Sequence, residues 1–117
     1  MVHYEIAGSP RAETVVLIPG LSVPYFAWDP TFEALVDAQL RVLRYDLYGR
    51  GFSDRPDTVY DQDLFDRQLW NLPSALDIGG PVDLVGWSMG GAISVVYASR
   101  RPEAVNPLLI ELLTAQP

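Results

Sequence analysis

The chain has 117 residues, of which 49% are hydrophobic and 20% charged, the size and composition of one globular domain. A formal net charge of -7 and a sequence pI of about 4.4 provide no basic footprint, which argues against nucleic acid or an anionic membrane surface as partner. There is no Cys and only one histidine, His3, so disulfides and thiolate metal sites are excluded, and a histidine-dependent mechanism has one imidazole of its own to use.

The first ten residues lack the basic start and apolar core of a signal peptide, and no apolar run is long enough to span a bilayer, so a cytoplasmic location is expected. Val2 to Ala7 reads as a short strand closed by Gly8, Ser9 and Pro10. A second, more apolar strand follows over Glu13 to Ile18, and the two suggest a hairpin. After a loop from Pro19 to Pro24, the spacing of Phe32, Leu35 and Val36 predicts a helix over Thr31 to Ala38. Arg41 to Tyr45 is β-rich and runs into a loop holding Gly49, Gly51 and Arg55-Pro56. Tyr60 to Ile78 is expected to be helical in pieces, with Leu64, Phe65, Leu69 and Leu72 as its apolar face and a break or kink at Pro73. Pro81 to Val85 is a short apolar strand, and Met89 to Arg100 a helix with Ile93, Val96 and Tyr97 on one face, stopped by Pro102. Leu108 to Ile110 offers a last apolar run. Strands alternating with helices in this order predict a mostly parallel sheet with helices on both faces, a three-layer α/β/α arrangement in a single domain over 1–117.

Gly86-Trp87-Ser88-Met89-Gly90 matches G-x-S-x-G, placed directly after an apolar strand and directly before a helix. In that context the serine sits on a sharp turn at the carboxyl end of the sheet, where open α/β sheets bind ligands. Gly86 and Gly90 are required because a side chain at either would collide with neighbouring backbone. An alternative for Ser88 is an ordinary helix N-cap. Phosphate-binding motifs do not fit: no Lys-Ser or Lys-Thr pair follows Gly90, and Asp54 stands where a dinucleotide fingerprint starting at Gly49 needs its third glycine.

Three segments together resemble the α/β-hydrolase superfamily in its esterase and lipase branch. They are Val15-Val16-Leu17-Ile18-Pro19-Gly20-Leu21-Ser22, Tyr45-Asp46-Leu47-Tyr48-Gly49-Arg50-Gly51-Phe52-Ser53-Asp54, and Leu84-Val85-Gly86-Trp87-Ser88-Met89-Gly90-Gly91. The resemblance implies a partial α/β-hydrolase fold with Ser88 as nucleophile and the backbone N–H groups of Leu21 and Met89 as the oxyanion hole. It also implies substrate contacts from Trp87 and Ser22, no cofactor and no metal. Pro19 stands where many members have His, which leaves a backbone donor unaffected. Asp46 and Ser53 are similar to residues that brace backbone, so Asp46 is a poor candidate for the triad acid.

In this family the acid and the histidine follow the nucleophile in the chain, and members are typically more than twice as long. The expectation is therefore that the chain covers the front half of the fold and stops before both residues. His3 falls on an ordinary strand position, and Glu111 is a weak candidate for an acid. The function implied is hydrolysis of a small carboxylic ester through an acyl-enzyme on Ser88. The competing reading is a non-catalytic fragment or degenerate relative that binds a small ligand or a partner chain. An unpaired edge at Leu108-Leu109-Ile110 further suggests either a homo-oligomer or a missing C-terminal half.

Overall fold

In the computed structural model, which describes residues 2–20, 28–50, 53–86 and 89–106, the sheet is organised around one wholly buried strand. This strand, β2 (Thr14–Ile18), carries the sequence TVVLI with every residue buried. Such a continuous apolar run suits a strand covered on both faces. The first strand, β1 (Tyr4–Ala7), precedes it and is exposed or half-buried throughout. The elements that follow are α1 (Asp29–Asp37), β3 (Arg41–Tyr45), α2 (Gln62–Ala75), β4 (Asp83–Gly86), α3 (Met89–Arg100) and a 3-10 turn over Pro102–Ala104.

The strand order is β1-β3-β2-β4. β2 pairs in parallel with β3 on one side, Val15 opposite Val42, and with β4 on the other, Ile18 opposite Gly86. The expected β1–β2 hairpin is not formed. β1 instead runs antiparallel along the outer side of β3, with Tyr4 opposite Tyr45 and Ala7 opposite Val42. The reason is burial: β2 is apolar on both faces and takes the centre, whereas the half-polar β1 suits only an edge. Gly8, at φ +104°, lets the chain leave that edge, and a Cβ there would strike the backbone of Leu40 and Arg41.

Alternation along β2 divides the core into two layers. Val15 and Leu17 pack with Phe32 of α1, while Val16 and Ile18 pack with Phe65 and Leu69 of α2 and Ile93 and Tyr97 of α3. The three-layer α/β/α architecture follows directly. Arg44, on the α1 face, is buried yet ion-paired to Glu5 of β1 and Asp29 at the start of α1, and lies 4.3 Å from the centre of the Phe32 ring.

α2 is one continuous helix rather than helical pieces. Its first turn is capped by Asp61, whose carboxylate accepts from the Leu64 N–H at 2.9 Å. Pro73 lies so close to the carboxyl end that only one helical N–H is lost. The closing turn is completed by Leu76 N–H to the Leu72 and Pro73 carbonyls and by Ile78 N–H to Pro73. Beyond the 3-10 turn, Val105 makes a parallel bridge with Val82, just before β4. The run from Leu108 to Ile110 lies outside the described residues.

Candidate active site

β4 ends at Gly86 and α3 begins at Met89, so only two residues, Trp87 and Ser88, separate strand from helix. Both lie outside the described residues, as do Leu21, Ser22 and Glu111. What is described is the frame around them. A Cβ on Gly86 would overlap the carbonyl group of Gly90 and come within 2.6 Å of the Gly91 nitrogen. A Cβ on Gly90 would in turn overlap the carbonyl of Ile18 and approach the Pro19 oxygen to 2.8 Å. The two glycines therefore let three backbones meet: the end of β4, the first turn of α3, and the end of β2 where it passes into Pro19 and Gly20. The carboxyl ends of β2 and β4, which precede Leu21 and Ser88 in the chain, lie side by side, since Ile18 and Gly86 are direct partners. Met89 packs against the core at the amino terminus of α3, where the unpaired N–H groups carry partial positive charge.

His3 stands at the same end of the sheet but at its far edge. Its Nδ1 lies 2.9 Å from Asp46 Oδ2, and its backbone N–H donates to Ser53 Oγ at 2.9 Å. The Ser53 hydroxyl donates to the Asp46 carbonyl at 2.8 Å, and the Gln68 amide donates to the same oxygen at 2.9 Å. Gln68 also accepts from the Tyr48 N–H. Asp46, Ser53 and Gln68 are all buried, and the network ties the edge strand, the loop after β3 and α2 together. β3 and β2 lie between β1 and β4, so at a strand spacing of roughly 4.8 Å the histidine edge is about 14 Å from the line of β4. There the His3 and Asp46 side chains pair with each other, while Ser53 and Gln68 hold their backbone.

A cavity of about 420 Å³ opens between the loop after β3, the start of α2 and the start of α3. It is lined by Tyr48, Gly49, Arg50, Arg55, Tyr60, Phe65 and Met89. Gly49, at φ +81°, has the Tyr60 ring where a Cβ would stand, and the Tyr60 hydroxyl donates to the Pro56 carbonyl at 2.9 Å. Sequence reasoning did not find this cavity, because its walls come from three separate segments. The available signal was two arginines, Arg50 and Arg55, close together in the glycine-containing loop of an acidic chain. In the core, burial and then the nearby Tyr97 push the Tyr45 phenol far above its ordinary value, keeping it neutral.

Among the described residues no group of three or more His, Cys, Asp or Glu side chains could hold a metal, and no helix is long and apolar enough to cross a membrane. On the α2–α3 face, buried Asp66 is instead an ion-pair partner of Arg100 and Arg101.

Comparison with known proteins places these observations beside others. The alpha/beta hydrolase family model matches residues 15–116. A Synechocystis protein provisionally named a non-heme chloroperoxidase is 37% identical over 89 residues, which are 76% of this chain and 31% of that protein. A carboxylesterase structure from Nitrososphaera gargenis superposes with a TM-score of 0.86 at 30% identity, covering 92% of this chain and 39% of the esterase. The enol-lactonase of Burkholderia xenovorans LB400 gives a TM-score of 0.83 at 32% identity, over 90% of this chain and 40% of the lactonase. The chain thus spans 30% to 42% of the length of the first curated relatives it matches.

Proposed function

From the premise that the chain belongs to the alpha/beta hydrolase family, we propose that it carries the nucleophile and oxyanion segments of a serine hydrolase acting on carboxylic esters. The observation that carries this reading is the interlock of Gly86, Gly90 and the Ile18-Pro19 carbonyls. It supports a serine held on a tight turn with the loop of a second oxyanion donor beside it. In this reading the Ser88 oxygen adds to the ester carbonyl carbon and its proton passes to a base. The resulting oxyanion accepts hydrogen bonds from the Met89 and Leu21 N–H groups, and its collapse expels the alcohol. Water then releases the acid from the acyl-serine by the same route. The ester bond as target draws support from the carboxylesterase and the lactonase, since a lactone is an internal ester.

The base is where this chain by itself falls short. Its one imidazole, His3, is engaged by Asp46 at the opposite edge of the sheet. That specific observation also favours the second reading, a ligand-binding relative without turnover. Removing the base from a serine triad costs roughly four to six orders of magnitude. The 117 residues alone should therefore hydrolyse p-nitrophenyl acetate only slightly above background. The product of the complete reading frame, if longer, should hydrolyse it efficiently and be labelled by a fluorophosphonate. Ser88→Ala should abolish both. Labelling and turnover that survive Ser88→Ala would overturn the nucleophile assignment.

A further inference from the structure

We propose that the cavity beside Met89 is a subsite for a carboxylate-bearing, planar ligand, with Arg50 as the group that recognises the acid. As a statement about substrate it rests on the hydrolase reading above; as a statement about binding it stands alone. The cavity, at about 420 Å³, falls within the range of small-molecule sites.

Three features give it a chemistry. Its walls are flat and aromatic: Tyr48, Tyr60 and Phe65 line it, with the Tyr60 and Phe65 rings edge-on at 6.4 Å between centres. Those walls are preformed, because Tyr60 is fixed by the Pro56 carbonyl at one end and seated on Gly49 along its ring. Its lining is basic although the whole chain is at -7: two arginines, Arg50 and Arg55, line it, and among the described residues no Asp or Glu does.

The placement of the other arginines sharpens the point. Arg44 is committed to Glu5 and Asp29, and Arg100 and Arg101 to Asp63 and Asp66. Arg50 makes no ion pair among the described residues. A guanidinium beside an aromatic wall suits a planar carboxylate, which it can grip with two parallel hydrogen bonds while the ring of the ligand lies on the wall. Met89, which also lines the cavity, is the neighbour of Ser88 in the chain. Because the cavity adjoins the residue that follows the proposed nucleophile, the substrates expected are esters that carry a second, ionised acid group.

The test is binding of benzoate against its neutral counterpart benzamide, followed by ligand-observed NMR at low salt on the 117-residue chain. Benzoate should bind about fivefold or more tightly than benzamide, and the difference should shrink at about 0.5 M salt. Arg50→Gln should erase the preference. Arg67→Gln, which removes the same charge from an exposed position on α2, should leave it in place, and circular dichroism should show both variants folded. Equal binding of benzoate and benzamide by the unaltered chain, or equal loss in the two arginine variants, would overturn the proposal. Ser88→Ala should still bind benzoate. Benzoate preference without fluorophosphonate labelling of the complete product sinks the hydrolase reading alone, and labelling without benzoate preference sinks the subsite alone.

Discussion

At the amino end of β4, Gly79 and Gly80 have open space where a side chain would stand, whereas at its carboxyl end Gly86 and Gly90 would drive one into backbone. The polar groups differ in the same sense. At the amino end the Glu13 and Asp83 carboxyls face each other, and their hydrogen bond and repulsion hold the Glu13 carboxyl above its ordinary 4.5. At the carboxyl end Asp46 is buried, its carbonyl accepting from the Ser53 hydroxyl and the Gln68 amide and its carboxylate paired with the His3 ring. One end of the sheet is over-determined and the other is merely tolerated. The over-determined end is the one where β2 passes into Pro19-Gly20 and β4 ends at Gly86, two residues before Ser88 in the chain.

The most direct way to break that contrast is a matched pair of alanines. Gly90→Ala should cost about 3 kcal/mol or more, because the obstructing atoms are backbone of β2 and cannot rotate aside. Gly79→Ala should stay within about 0.5 kcal/mol of neutral. Urea melts of the two variants give the difference, and similar midpoints would remove the basis for the contrast. Next in size is Ser53→Ala, which strips a partner from the His3 N–H and a donor from the Asp46 carbonyl. A loss of about 1 to 3 kcal/mol is expected in the same assay.

A smaller effect of opposite sign is expected at Tyr45, the point where the carboxyl end is not fully satisfied. Its buried hydroxyl has no hydrogen-bond partner among the described residues. Tyr45→Phe should leave stability unchanged or raise it by up to about 1 kcal/mol in a thermal melt. A clear loss would reveal a partner for that hydroxyl.

The smallest effect concerns pH at the amino end. Because the folded Glu13 carboxyl titrates above its unfolded value, the native state holds the proton more tightly. Its contribution to stability is present below about 4.5 and falls as pH rises through the raised value. Glu13→Gln should flatten the stability profile across that window and raise the melting temperature slightly at neutral pH. An unchanged slope would mean that Glu13 and Asp83 do not sense each other in solution.

How far the sequence discloses this molecule depends on the range of the interaction involved. Arg41–Tyr45 and Met89–Arg100 form the strand and helix expected of them because periodicity within each segment decides the matter. The glycine clearance at Gly86 and Gly90 was also legible, since a strand-to-helix reversal in two residues imposes it. The hairpin expectation failed because nothing local reports that β3, about thirty residues later, takes the place beside β1; only the contrast between the fully apolar TVVLI and the mixed YEIA hinted at centre and edge. Pro73 misled for a related reason, as its cost depends on its distance from the end of α2. The expected site residues Ser88, Trp87, Leu21 and Ser22 remain readings of the sequence. The cavity was illegible because no single segment contains more than a part of it.

The insertion of β3 between β1 and β2 also has a history in time. A ribosome makes β1 first, then β2, yet Tyr4 has no partner until Tyr45 emerges about forty residues later. At synthesis rates of roughly 5 to 20 residues per second, the edge strand waits about 2 to 8 s beside an already available neighbour that is not its own. During that interval the native order requires β1 to leave the flank of β2 open. The charged side of that wait is Glu5, which finds Arg44 only once β3 has arrived, so nascent-chain crosslinking between positions 5 and 44 should appear late, after α1 has cleared the exit tunnel.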